Sequence, residues 1–193
     1  MANIVHQKVQ ISDPPLVQKL FADTRFAWIW LIVRLYLAYE WIDASSHKIF
    51  DPKWVQTGES LKGYWLGAVK VDPKPVAYFD WYRSFLQFML DNQAYTWFAK
   101  LVAYGELLIG IALLLGVFTG IAAFFGGFMN WNFMMAGTAS SNPLLFAAAV
   151  AMILAWKTAG YWGLDRVLLP LLGTPWKPGI VIQATPAPQP TSA

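Results

Sequence analysis

Arg34 stands in the middle of one long apolar run and Glu106 stands inside another. Hydrocarbon surroundings make an ionised side chain costly, so such residues pair with something or carry function. A guanidinium keeps its proton and needs an acceptor. Glu106 is the acceptor expected for Arg34, either as a buried ion pair that fixes helix register or as part of a site for an anion or a quinone. Tyr36, Glu40, Asp43 and His47 follow 4-3-4 spacing, which puts them on one stripe of a helix turning about 100° per residue. That stripe is either a proton path made of a phenol, two carboxylates and an imidazole, or a polar face touching water near a helix end. Asn130 and Asn132 lie two positions apart around Trp131 and face different neighbours. Their amides either bond across helices or donate to a quinone carbonyl beside an aromatic plate. Tyr104 joins Asn130, Trp131 and Asn132 as a quinone-side candidate, and Lys48, Lys53 and Lys62 are candidates for attracting a small anion by steering.

The elements that must position these groups are apolar helices. Of 193 residues, 57% are hydrophobic and 13% charged, against nearer half and a quarter in a soluble domain. The excess comes in blocks. Spans are expected at about 26–44, 97–118, 121–139 and 144–159, each near the length that crosses a bilayer. The fold class is therefore all-α: a polytopic four-transmembrane-helix bundle. Residues 25–173 form the membrane domain, after a polar N-terminal segment, 1–24, and before a Pro-rich tail, 174–193, expected to be disordered.

Residues 45–94 are too polar to span and too aromatic for a solvated linker. Leu61, Trp65, Ala68 and Val69 share one helical face, and Val76, Phe79, Tyr82, Leu86 and Leu90 share another, with Pro73 and Pro75 between. Amphipathic, aromatic helices of this kind lie in the headgroup plane. The segment is read as an interfacial cap over one end of the bundle, the alternative being an independently packed surface loop. Gly116, Gly120, Gly126, Gly127 and Gly137 are placed for close helix contact rather than ligand approach.

The absence of cysteine excludes a thiol–disulfide relay, iron–sulfur ligation and thiolate metal sites within the chain. With His6 and His47 the only histidines, and neither mid-span, a bis-histidine haem in the bilayer core is excluded too. No metal site is expected. A net charge of +3 is too small to point to nucleic acid. The N-terminal residues lack the apolar core and small-residue site of a cleavable signal. Four spans put both termini on one side, read as the cytoplasmic side of a bacterial or archaeal membrane.

Gly105-Glu106-Leu107-Leu108-Ile109-Gly110, followed by Leu115-Gly116-Val117-Phe118-Thr119-Gly120, resembles the second-span signature of the DoxX/DoxD family. Arg34 in mid-helix, Lys48 just beyond it and Gly160-Tyr161-Trp162-Gly163-Leu164-Asp165 extend the resemblance from about Arg25 to Gly173. The resemblance implies a four-helix membrane bundle with Arg34, Lys48, Glu106 and Asp165 as functional positions. In the DoxD branch it implies a thiosulfate:quinone oxidoreductase, which joins two thiosulfates into tetrathionate and passes two electrons to quinone.

The function expected is thus a membrane subunit of a quinone-linked redox system acting on a small sulfur anion, with Arg34, Glu40, Glu106 and Asp165 as catalytic candidates. Quinone is the expected cofactor; the bilayer and other membrane or peripheral subunits are the expected partners. The alternative is a non-catalytic accessory subunit of a larger respiratory or photosynthetic complex. A transporter ranks below both, because no inverted repeat is evident.

Overall fold

A computed structural model describes residues 13–173, and their regular structure is helical throughout. Pro15 opens α1 (Pro15–Ala22), where a missing N–H costs nothing. A turn follows in which the Asp23 carboxylate accepts the Arg25 N–H. Then comes α2 (Ala27–Ile49), 23 residues long. The short α3 (Pro52–Val55) is capped by Asp51, and α4 (Glu59–Ala68) starts after Gly58 in a left-handed conformation. A Pro-rich connection leads to α5 (Asp80–Asp91). The remaining apolar elements are α6 (Tyr95–Leu115), α7 (Thr119–Met135) and α8 (Asn142–Leu154). Two short helices, α9 (Trp156–Ala159) and α10 (Asp165–Leu171), end the described chain.

Helix ends fall where local chemistry puts them, not where apolar runs end. α2 continues past the expected span to Ile49, and in its last turn Lys48 folds its amine back to the Ala44 carbonyl at 3.2 Å. α6 stops at Gly116, whose φ of 67° closes the C-terminus in the left-handed form that glycine tolerates. The expected fourth span is broken at Ala155, between α8 and α9. Among the described residues, α6 alone has both the length and the composition of a membrane-crossing helix; α8 is apolar but shorter.

Small residues set the packing. α2 and α6 run antiparallel and close: a Cβ at Gly110 would stand 3.0 Å from the Ile42 backbone nitrogen and 3.3 Å from the Ala38 carbonyl oxygen. α7 and α8 form a second tight pair, in which a Cβ at Gly127 would meet the Ala149 Cβ at 3.3 Å. Gly126 lies against the Trp41 indole on one side and Ile109 on the other. Close backbone approach of this sort is how helices associate where burial of oily surface offers no drive. One buried core runs through the four long helices, with Leu37, Trp41, Leu113 and Met152 at its centre.

A second core belongs to the segment between α2 and α6. Leu61 and Trp65 of α4 and Tyr82 and Leu86 of α5 pack together against Ala99 and Ala136, near the start of α6 and just beyond α7. Arg83 holds the Pro-rich connection by donating to the Ala77 and Tyr78 carbonyls and pairing with Asp80. Val76 and Phe79, expected on the buried stripe, are about half exposed, because they precede α5 rather than belonging to it.

Gly110→Val tests the α2–α6 contact. The added atoms have no space beside Ile42, so unfolding in detergent should show a loss of about 1–3 kcal/mol, the usual penalty of overpacking.

Candidate functional site

Three features concentrate the polar chemistry. The first surrounds Arg34, which is 2% exposed. Its Nη2 donates to the Trp162 carbonyl at 2.9 Å. Gly116 and Gly163 flank the guanidinium, and a Cβ on either would run into it. The two glycine turns are stitched together: Leu164 N–H donates to the Leu115 carbonyl at 3.1 Å and Asp165 N–H to the Gly116 carbonyl at 2.8 Å. The fully buried Asp165 carboxylate caps α7 from outside that helix, accepting from Phe118 N–H at 2.6 Å and Thr119 N–H at 2.8 Å. A carboxylate at a helix N-terminus is favoured by the orphan N–H groups and the helix dipole. It also offsets the left-handed φ of 45° at Phe118, a conformation that costs a residue with a side chain about 1–2 kcal/mol. A Cβ at Gly160 would overlap this carboxylate. Asp165 is also the acid whose charge acts on Arg34.

The second feature is an ion pair at the other end of the bundle. Lys48 Nζ lies 2.7 Å from Glu106 Oε2, with side-chain exposures of 18% and 1%. The ammonium also sits 5.5 Å from the Trp54 ring centroid. Among the described residues, Glu106 Oε1 and both amide atoms of Asn130 are buried without a hydrogen-bond partner, as are Arg34 Nε and Nη1 and Thr119 Oγ1.

The third feature is an apolar groove of about 730 Å³ between α6 and α7. Leu101, Gly105 and Leu108 line one wall, Ile121, Phe125 and Met129 the other, and Tyr64, Trp65 and Tyr82 roof it. The roof is tied to α7 through hydroxyls. Tyr82 donates to the Asn132 main-chain carbonyl and Oδ1, both at 3.1 Å, and Tyr64 Oη lies 2.9 Å from Thr138 Oγ1. Burial, then the neighbouring Tyr64 phenol, pushes the Tyr82 hydroxyl up from 10.0 to about 12.

A family model, DoxX, matches residues 29–139. The chain belongs to the DoxX family. No curated protein and no solved structure matches it. The matched region contains Arg34, Lys48, Glu106, the groove walls and the roof; Asp165 and its glycine turn lie beyond it. Family membership, together with the long apolar α6, makes this a membrane protein.

Within this DoxX protein, the expected pairing of Arg34 with Glu106 is not what forms. Antiparallel register sets Arg34 beside Gly116, while Glu106 lies ten residues earlier on α6, about 15 Å along the axis. Arg34 therefore meets the turn and Asp165, and Glu106 meets Lys48. The anion candidates do not converge either: Lys48 is held by Glu106, Lys62 lies over the Tyr95 ring at 5.2 Å and Lys53 is exposed. Asn132 lines the groove; Asn130 faces the core, Trp131 stacks with Trp81 and Phe128, and Tyr104 is 49% exposed. Along the α2 stripe, Tyr36 reaches Glu40 and exposed His47 lies 3.7 Å from Asp43. Tyr64 and Tyr82 were missed as site residues, although Tyr82 falls on the buried stripe of α5. The repeated glycines around Trp162 were the signal for the Arg34 cage.

Double-mutant cycles test the corrected pairing. Arg34→Met with Asp165→Asn, and Lys48→Met with Glu106→Gln, should couple by about 1 kcal/mol or more, whereas Arg34 with Glu106 should add within about 0.5 kcal/mol. The reverse pattern in detergent unfolding would restore the Arg34–Glu106 pair. Tyr82 gives a pH test. Its raised value means that the fold prefers the neutral phenol, so its contribution is fully present below pH 10 and is lost as pH climbs towards about 12. Melting temperature should fall across that window, and less steeply in Tyr82→Phe.

Proposed function

We propose that this protein is the quinone-binding membrane subunit of a redox system. In this reading α2, α6, α7 and the α8–α9 segment cross the bilayer, both ends of the chain lie on one side, and the cap lies at the opposite interface. The observation that carries it is the groove between α6 and α7. Pockets for such ligands are concave and largely apolar, with a few placed polar groups, and this one fits a quinone in size and chemistry. The isoprenoid tail would lie along Leu101, Leu108 and Phe125, open to lipid. The head would sit under the roof, where Tyr82 supplies a hydroxyl donor that now bonds Asn132. Bound quinone would supply two-electron, two-proton redox chemistry. The residues of this chain orient the head, exclude water from it and keep a lateral door to the membrane.

Electrons would come from a partner subunit. A sulfur-anion donor rests on the DoxD resemblance alone, since Lys48 and Lys62 are turned to separate neighbours and Lys53 is exposed apart from both.

Gly105→Phe tests the groove cleanly. A Cβ at Gly105 meets nothing within 4 Å, so the ring enters the groove without displacing a helix, and replacing a helical glycine adds up to about 1 kcal/mol of stability. Quinone co-purifying from native membranes, and quenching of the groove-lining Trp65 by added quinone, should both weaken by about tenfold, which is 1.4 kcal/mol of binding. Stoichiometric recovery of wild type in a larger complex, with no quinone retained and no quenching, would instead make it an accessory subunit.

A further inference from the structure

Gly126 sits against both Trp41 of α2 and Ile109 of α6. One turn further towards the cap, the residues on the same faces are Ser45 on α2, Asn130 on α7 and, because α6 runs the other way, Glu106. All three are at most 1% exposed. Register therefore stacks a hydroxyl, an amide and a carboxylate into one polar layer inside the bundle, directly above the Trp41–Gly126–Ile109 layer. Ser45 Oγ donates to the Ile42 carbonyl and keeps acceptor capacity. Glu106 uses one oxygen on Lys48, and its other oxygen and the whole Asn130 amide find no partner among the described residues.

Groups buried this deeply are bridged when no direct bond forms, and the usual bridge is water making two to four hydrogen bonds. We propose that the Ser45–Glu106–Asn130 layer is a water-binding centre, the inner end of a proton-entry path whose outer group is Lys48. A metal ion or other cation is disfavoured there, because the Lys48 ammonium already neutralises Glu106 at 2.7 Å. Lys48 is the charged group that touches Glu106 among the described residues; α7 presents a neutral amide and α3 the Trp54 ring beside Lys48. The path faces the cap, where Lys48 remains partly exposed. On its inner side the layer backs onto the groove, whose walls include Gly105 and Met129, the sequence neighbours of Glu106 and Asn130. Delivery of a proton to a groove ligand rests on the quinone reading; the water centre itself does not.

The test uses ligand-free full-length protein in nanodiscs. A structure at a resolution that shows ordered solvent should place at least one water within hydrogen-bond distance of Glu106 Oε1 and Asn130. Infrared bands of the Glu106 carboxyl group, assigned by their loss in Glu106→Gln, should respond to transfer into D2O. That response should be severalfold slower in Asn130→Leu, which keeps the shape and removes the hydrogen bonds. Ser45→Ala, a smaller change, should slow it too and serves if Asn130→Leu does not fold. A direct Asn130–Glu106 hydrogen bond with no water density would overturn the proposal, as would unchanged D2O kinetics in folded variants. Neither outcome depends on whether quinone binds the groove.

Discussion

Arg34 and Asp165 constrain each other through backbone rather than through a direct salt bridge. The guanidinium is fixed by the Trp162 carbonyl and two side-chain-free walls, and the carboxylate by the first N–H groups of α7. Charges taken out of water are tolerated only where hydrogen bonds replace hydration. Here the replacement draws on α2, the α6–α7 turn and the chain after α9 at once. A single pair of opposite charges thereby fixes where α6 ends, where α7 begins and how α2 stands against both.

That clamp accounts for the shape of the groove. α2 with α6, and α7 with α8, are tight pairs built on glycine and alanine. α6 and α7 are tied at one end by the clamp; at the other the cap bonds α7 and the turn after it through its tyrosine hydroxyls and packs on α6 through Trp65 against Phe98. Between those ties bulky side chains face one another across the seam, among them Leu108 and Phe125. A seam pinned at both ends and bulky in the middle stays open, and α4 and α5 roof it rather than filling it. The cap's aromatic residues bury one face in their own core and leave Tyr78, Trp81 and Phe88 outward.

Helix positions were legible in the sequence because apolar periodicity is a local property. Burial of Arg34 and Glu106 was legible for the same reason, as was the buried face of Leu61, Trp65 and Ala68. Their partners were not, because a partner depends on the register between helices that are distant in sequence. Glu106 and Arg34 lie in the same two antiparallel helices, yet three turns of offset separate them. Lys48 lay beyond the expected span and reaches Glu106 from the edge of the core, with its side chain folded back along α2. Gly116, Gly120, Gly126, Gly127 and Gly137 were read as helix-contact residues, which fits Gly126 and Gly127, while the close contact at Gly110 went unread. Gly116 and Gly163 instead make room for a guanidinium, and Gly160 for a carboxylate, a role visible only once the two turns lie side by side.

The two charged centres differ in a way that separates architecture from chemistry. Around Arg34 the space is full: a methyl group added at Gly116 or Gly163 would collide with the guanidinium, so no ligand fits between it and the backbone. Its Nη1 lies against the backbone of Gly116 and Gly163, and changing the cage means moving a helix. The Lys48–Glu106 pair has a partly exposed cation at its outer edge, an unpartnered carboxylate oxygen within and a neutral amide in the same layer. A group that exchanges partners must have one bond to give up and another within reach. Lys48 and Glu106 meet that requirement, whereas Asp165, with both oxygens committed to the start of α7, does not. The bundle therefore places its rigid charge pair at the α6–α7 turn and its adaptable one under the cap, on the side where the groove is roofed.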